Sequence, residues 1–132
     1  MIRILIAEDE EIIRSGLLYT IDWLSMNAVV VASAATGAEG LEKIKSLQPD
    51  IVIADIKMPG MSGLDMIAEA QKEKIDFIPI VLTSYSDFNY AKNAIALRVF
   101  DYLLKPVDEA KIKEVVSRAQ EQLTKNRIAQ KA

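Results

Sequence analysis

The chain has 132 residues, of which 51% are hydrophobic, and a formal charge of −3. That is room for one domain with a proper core, and the charge gives no support to nucleic-acid binding by these residues alone. Cysteine and histidine are both absent, which excludes disulfides, thiol chemistry, thiolate metal sites and the usual general base. No apolar run approaches the ~20 residues of a membrane span, and the apolar start, Ile2 to Ile6, is too short for a signal peptide.

Ile2 to Ala7 predicts a first buried strand, which runs into Glu8-Asp9-Glu10-Glu11. Helical spacing follows, with Ile13, Leu17, Ile21 and Leu24 on one face. Ala28 to Ala32 predicts a Val-rich second strand. Thr36-Gly37-Ala38-Glu39 has the form of a capping box, and Leu41, Ile44 and Leu47 mark the helix it opens, which stops before Pro49. The third strand is Ile51-Val52-Ile53-Ala54-Asp55, an apolar run bounded by turn residues and so buried on both faces. Burying an unpaired carboxylate is costly, which places Asp55 at the strand's open end. Ser62 can cap a third helix carrying Leu64, Ile67 and Ala68. Ile78 to Leu82 is the fourth strand, ending at Thr83-Ser84. The Ala-rich segment Asp87 to Leu97, with Phe88, Ala91 and Ile95 on a stripe, predicts a fourth helix. Val99 to Leu104 is the fifth strand, ending at Lys105-Pro106. Asp108 caps a last helix with Ile112, Val115, Val116, Ala119 and Leu123, and from Thr124 to Ala132 the chain is a polar, basic tail.

Five strand-then-helix units imply a parallel sheet covered on both faces, with no domain boundary inside. Ligands of such sheets bind beyond the carboxyl ends of the strands, where the winding reverses. The residues there are Glu8 and Asp9, Asp55, Thr83 and Lys105. Alone, Asp55 reads as an acid that ends a strand, Thr83 as a strand end, and Lys105 as a solvated lysine. Together, three carboxylates, a hydroxyl and a lysine on one edge suit a phosphoryl group placed on a carboxylate. Clustered carboxylates repel, and Mg²⁺, which takes one or two carboxylates plus water and phosphate oxygens, relieves that. Lys105 adds a compact positive charge and Thr83 a donor. Glu10 and Glu11 read instead as first-turn acids favoured by the helix dipole. A Gly-rich phosphate loop is excluded after the first strand, because four acids stand there. The missing histidine removes most nucleophilic hydrolases.

With these residues placed, the chain resembles the receiver domain of two-component response regulators over about residues 2 to 123. The marks are Glu8-Asp9, Asp55 followed by Met58-Pro59 and Gly63, Thr83, Tyr102 and Lys105-Pro106. The segments Ile21-Asp22-Trp23, Ser84 to Lys92, and Asp101 to Val107 resemble the subgroup that joins a receiver to an AraC-type DNA-binding domain. The resemblance implies a flavodoxin-like, doubly wound α/β fold: a five-stranded parallel sheet in the order 2-1-3-4-5 with five helices. It implies that Asp55 accepts a phosphoryl group from a phosphohistidine on a partner sensor histidine kinase, in the cytoplasm. Asp9, Asp55 and the backbone carbonyl of Lys57 would hold Mg²⁺, with Glu8 acting directly or through a water. Thr83 and Lys105 would hold the phosphoryl oxygens, Tyr102 would be the switch aromatic, and Lys105-Pro106 would be a cis peptide. Such receivers often dimerise through the face of the fourth helix, fifth strand and last helix; here that face involves Ala94, Ile95, Leu97 or Arg98, with Lys111 and Glu114.

Two departures stand out. Receivers usually carry Asp where this chain has Glu8, so the longer arm either reaches the metal directly or crowds its water. Ser84 stands where Ala or Gly is common, which affects access to Asp55 and the lifetime of the phosphorylated state. The expected division is a receiver over 1–123 and a polar tail or linker stub over 124–132, leading to a DNA-binding output domain outside this chain. The expected role is a switch that catalyses only its own phosphorylation and dephosphorylation. Its rivals are a stand-alone receiver, a pseudo-receiver interaction module, and an Asp-nucleophile phosphatase. The last places an acid two residues after its nucleophile, where this chain has Lys57. The retained Asp9, Asp55, Thr83 and Lys105 argue against the pseudo-receiver.

Overall fold

A computed structural model describes residues 1–84 and 99–131. Its elements in chain order are β1 (Ile2–Ala7), α1 (Glu11–Tyr19), a 3-10 turn (Trp23–Met26), β2 (Ala28–Ala34), α2 (Gly37–Leu47), β3 (Ile51–Asp55), α3 (Gly63–Lys72), β4 (Ile78–Ser84), β5 (Asp101–Lys105) and α4 (Glu109–Lys131). The five strands form one sheet in the order β2-β1-β3-β4-β5, and every adjacent pair is parallel. The flavodoxin-like order is as expected. Among the described residues there are four α-helices and one 3-10 turn, against the five helices expected. The helix expected over Asp87 to Leu97 lies outside the described residues. No described helix is long and apolar enough to cross a membrane.

The strands read as unbroken apolar runs because both faces of the sheet are covered. Successive side chains alternate between two cores. Ile4 and Ile6 of β1, Ile51 and Ile53 of β3, and Ile80 and Leu82 of β4 pack with Leu17 of α1 and with Ile112, Val115, Val116 and Ala119 of α4. Leu5 and Ala7, Val52 and Ala54, and Val81 pack on the other side with Ile44 of α2 and Met66, Ile67 and Ala70 of α3. In α3 the core face is therefore Met66, Ile67 and Ala70, whereas Leu64 and Ala68 are only half-buried.

Caps set most helix starts. Thr36 Oγ1 accepts from Glu39 N at 3.1 Å, and Ser62 Oγ accepts from Asp65 N at 3.1 Å. The capping box at Thr36 is half made, since the Glu39 carboxylate turns instead to Lys43 at 3.2 Å. Asp108 Oδ1 accepts from Ala110 N at 2.9 Å at the start of α4.

The second strand runs on to Ala34 and the fifth starts at Asp101, and two helix boundaries also differ from the sequence reading. The first helix stops at Tyr19, so Leu24 does not share its apolar face and is 70% exposed. Trp23 takes the core position instead, with its indole N–H donating to Leu17 O at 2.9 Å, and Asp22 caps the separate turn by accepting from Ser25 N at 3.3 Å. Burying the larger ring turns Leu24 outward. The last helix does not end at Leu123 but continues to Lys131. Two contacts hold the extension against the amino-terminal edge of the sheet: Arg127 Nη2 donates to Asp50 Oδ1 at 2.9 Å, and Gln130 Nε2 to Asp76 Oδ2 at 3.4 Å. The Lys105–Pro106 peptide is cis, as the resemblance implies.

Candidate functional site

Because all five strands are parallel, their carboxyl ends share one edge, and the winding reverses between β1 and β3. Asp55 closes β3 at that point and is only 6% exposed. Its Oδ2 accepts from Lys105 Nζ at 2.8 Å, and its Oδ1 accepts from Lys57 N at 3.2 Å. Lys105 comes from the end of β5, two strands away, so the contact joins residues 50 apart in sequence. Thr83 lies on β4 between them and is buried; its hydroxyl donates to Ser84 O at 3.3 Å. Thr83 follows Val81 by two residues and so shares its face of the sheet. Tyr102, opposite Val81 in register, packs half-buried against the cluster on that same face.

Glu8, the first residue beyond β1, is fully buried. Its backbone N–H donates to Ala34 O at 2.9 Å, and its Oε2 accepts from Glu10 N at 3.0 Å. Its Oε1 lies 2.8 Å from Lys105 Nζ, an ion-pair contact, and has no further partner. Burial pushes the Glu8 carboxyl up to about 7, against the opposing pull of Lys105. Burial also works against the Lys105 ammonium, but Asp55 and Glu8 outweigh it and hold that group's pKa above its ordinary value.

Carboxylate oxygens of Glu8, Asp9 and Glu10 lie within 4.8 Å of one another. Sequence reasoning set Glu10 aside as a first-turn acid. The structure makes it the residue preceding α1, with no side-chain cap of its own, 3.9 Å from Lys105. Arg14 also went unremarked. Its guanidinium reaches back from α1 to donate to Glu8 O at 2.8 Å, so it braces the acidic turn. No local pattern singles out that contact; only the return of the helix past β1 makes it.

The loop after Asp55 is folded tightly. Gly60 takes a positive φ of 75°. Gly63 N donates to Ile56 O at 2.9 Å, and a Cβ on Gly63 would lie 2.0 Å from Asp55 O. Only glycine fits there without moving Asp55. Asp9, Lys57, Met58, Pro59 and Ser62 line a cavity of about 480 Å³ beside this loop.

A half-buried lysine joins two buried carboxylates, further acids stand alongside, and a hydroxyl sits on the neighbouring strand. The comparisons agree with that picture. The family model described as the response regulator receiver domain matches residues 4–117. The chain is a response regulator receiver domain. The transcriptional regulatory protein YesN of Bacillus subtilis is 44% identical over 112 residues, covering 85% of this chain and 30% of the relative. The transcriptional regulatory protein HptR of Staphylococcus aureus is 40% identical over 118 residues, covering 89% of this chain and 46% of that protein. Among solved structures, the REC domain of AraT, a response regulator from Geobacillus stearothermophilus, superposes with a TM-score of 0.86 at 42% identity, covering 95% of this chain and 97% of that one. This receiver spans less than half the length of these two curated relatives.

The receiver's donor set fits a hard divalent cation. It consists of carboxylate oxygens, and one of them, Glu8 Oε1, is buried without a hydrogen bond. Asp55 turns its carboxylate toward Lys105 and Lys57, while Asp9 groups with Glu8 and Glu10. Of the face expected to pair receivers, Ala94, Ile95, Leu97 and Arg98 lie outside the described residues. The described part is a charged ladder: Lys111 with Glu114 at 3.4 Å, Glu114 with Arg118 at 3.6 Å, and Arg118 with Asp101.

Proposed function

We propose that this receiver is a phosphorylation-driven switch whose acceptor is Asp55. The observation that carries the reading is Lys105 Nζ at 2.8 Å from Asp55 Oδ2 inside a buried acidic site. An Asp55 carboxylate oxygen would attack phosphorus of a phosphohistidine on a sensor histidine kinase. The P–O bond forms as the P–N bond breaks, and the imidazole leaves. Lys105 and the Thr83 hydroxyl would hold the phosphoryl oxygens. Asp9, Asp55 and the Lys57 carbonyl would hold Mg²⁺, with Glu8 joining directly or through water. When bound, the ion supplies charge neutralisation at the carboxylates and the transferring group. Because Lys105 already pairs with both Glu8 and Asp55, its ammonium screens their repulsion before transfer and is at hand for the phosphoryl group afterwards.

The same reading makes the domain a signalling element of the cytoplasm that turns over only its own phosphoryl group. Residues 1–123 form the receiver and 124–132 lead toward a DNA-binding output domain of AraC type, so any contact with DNA runs through that domain. The names of YesN and HptR as transcriptional regulators, and their greater length, support this. Thr83 moving toward the phosphoryl group, with Tyr102 following, would favour a homodimer through the β5–α4 face.

The test is mass spectrometry after incubation with acetyl phosphate and Mg²⁺. The parent gains one phosphoryl group, and Asp55→Asn gains none. Equal labelling of both proteins overturns the assignment.

A further inference from the structure

The loop that follows Asp55 is held from a second side, by a helix that carries none of the proposed site residues. Gly37 is the first residue of α2 and is buried. A Cβ placed there would meet Met61 O at 2.3 Å, Met61 Cβ at 2.8 Å and Met61 C at 2.9 Å. Ordinary contact begins at 3.4 Å, so the loop or the helix would have to give by about 1 Å. The obstacle is main chain, which no change of rotamer relieves. Gly40, one turn along the same helix, is a different case. Its Cβ would meet Met66 Sδ at 2.5 Å, the flexible end of a side chain, with its next neighbours at 3.6 and 3.7 Å.

The loop cannot absorb a push at Met61 freely. At one end Lys57 N is bonded to Asp55 Oδ1, and at the other Gly63 N is bonded to Ile56 O. Gly63 has no room to retreat against Asp55 O. A displacement of Met61 therefore passes into residues 57–61. These include Lys57, Met58 and Pro59, which line the cavity shared with Asp9.

We infer that Gly37 is a positioning residue for the phosphoacceptor loop. Its missing side chain sets the height at which the loop closes over Asp9 and Asp55, and so where the Lys57 carbonyl stands for a divalent cation. This rests on the reading of the site given above. A misplacement of about 1 Å in such a site can cost on the order of a hundredfold.

The test uses residues 1–132 with Gly37→Ala, Gly40→Ala, and a variant with one extra glycine inserted after Gly60. Gly60 is exposed, with nothing within 4 Å of a Cβ placed on it, so the insertion loosens the loop without loading α2. Mg²⁺ affinity is measured by titration calorimetry, and the thermal midpoint is measured separately in a chelator. Gly37→Ala should weaken Mg²⁺ binding at least tenfold, and by more than its metal-free midpoint would suggest. The insertion should weaken binding similarly. Gly40→Ala should move the midpoint and leave Mg²⁺ affinity within about twofold of the parent. If the parent binds and Gly37→Ala binds equally well, this inference fails and the site reading stands. Should Gly37→Ala not fold, parent-like affinity in the insertion variant overturns the inference instead. If the parent binds no Mg²⁺, both fall together.

Discussion

Glu8 holds its proton to higher pH than an ordinary glutamate, because burial disfavours its charged form by more than Lys105 and the Glu10 N–H favour it. Its carboxyl titrates at about 7 in the fold against 4.5 for the ordinary group, so between those values the folded state binds the extra proton. Stability linked to Glu8 is therefore complete below pH 4.5 and declines as pH rises toward 7, by on the order of 3 kcal/mol. Glu8→Gln keeps the shape and removes the titration. In a chelator, the difference in thermal midpoint between Glu8→Gln and the parent should grow in the variant's favour from pH 4.5 to 8. Parallel curves across that range would show that another group is responsible. The site favours neutral Glu8 without metal and the carboxylate with it, so Mg²⁺ uptake should release a proton near neutral pH.

At the scale of the elements, Asp50 ties together the starting ends of three strands. Its Oδ2 accepts from Arg3 N at 2.8 Å, its N–H donates to Arg3 O at 2.8 Å, and its carbonyl accepts from Ile78 N at 2.9 Å. Its second carboxylate oxygen receives Arg127 from the last helix. Asp50→Ala strips the acceptor from a part-buried backbone N–H and should cost about 1–3 kcal/mol by urea unfolding. Arg127→Ala breaks a pair whose arginine side chain is 58% exposed and should cost at most ~1 kcal/mol. That variant should instead release the end of α4, seen as faster amide exchange after Leu123 with unchanged exchange in β1 and β3. Equal losses in the two variants would mean that the ion pair, not the strand contact, carries the stability of this edge.

Over the whole molecule, the proposed metal site should link folding to Mg²⁺. Mg²⁺ that binds only the folded chain raises its stability by mass action. Asp9→Ala removes both a proposed ligand and some repulsion from Glu8 and Glu10. It should melt higher than the parent in a chelator and gain less from Mg²⁺. An unchanged Mg²⁺ response would exclude Asp9 from the ligand set. In the proposed switch the route from site to surface would run through β4 and β5, where Thr83 and Tyr102 share a face. With beryllofluoride as a phosphoryl mimic, sedimentation should show the parent shifting toward dimer. Thr83→Ala should bind the mimic and shift little, because the donor that reads it is gone. A full shift in Thr83→Ala would remove Thr83 from the coupling.

The amino-acid sequence by itself determined the layered fold and the edge at which the chemistry gathers. Unbroken runs such as Ile51 to Ala54, bounded by turn residues and alternating with helical stripes, read as strands covered on both faces, and parallel strands put their last residues side by side. Thr36 and Ser62 announced their helices through local hydrogen bonds that a four-residue window contains. What lay beyond reach depends on partners distant in the chain. Lys105 and Asp55 were expected at one edge, but not their direct pairing across 50 positions; Arg127 meets Asp50 across 77, on the stretch where the last helix runs past Leu123. Leu24 fitted the helical stripe as well as Leu17 did, and only the volume of Trp23 in the core turned it to solvent. Arg14 and Gly37 carry no local signature at all. Arg14 acts on the main chain of the turn after β1 and Gly37 on that of the loop before α3, and that proximity exists only once the strands and helices have packed.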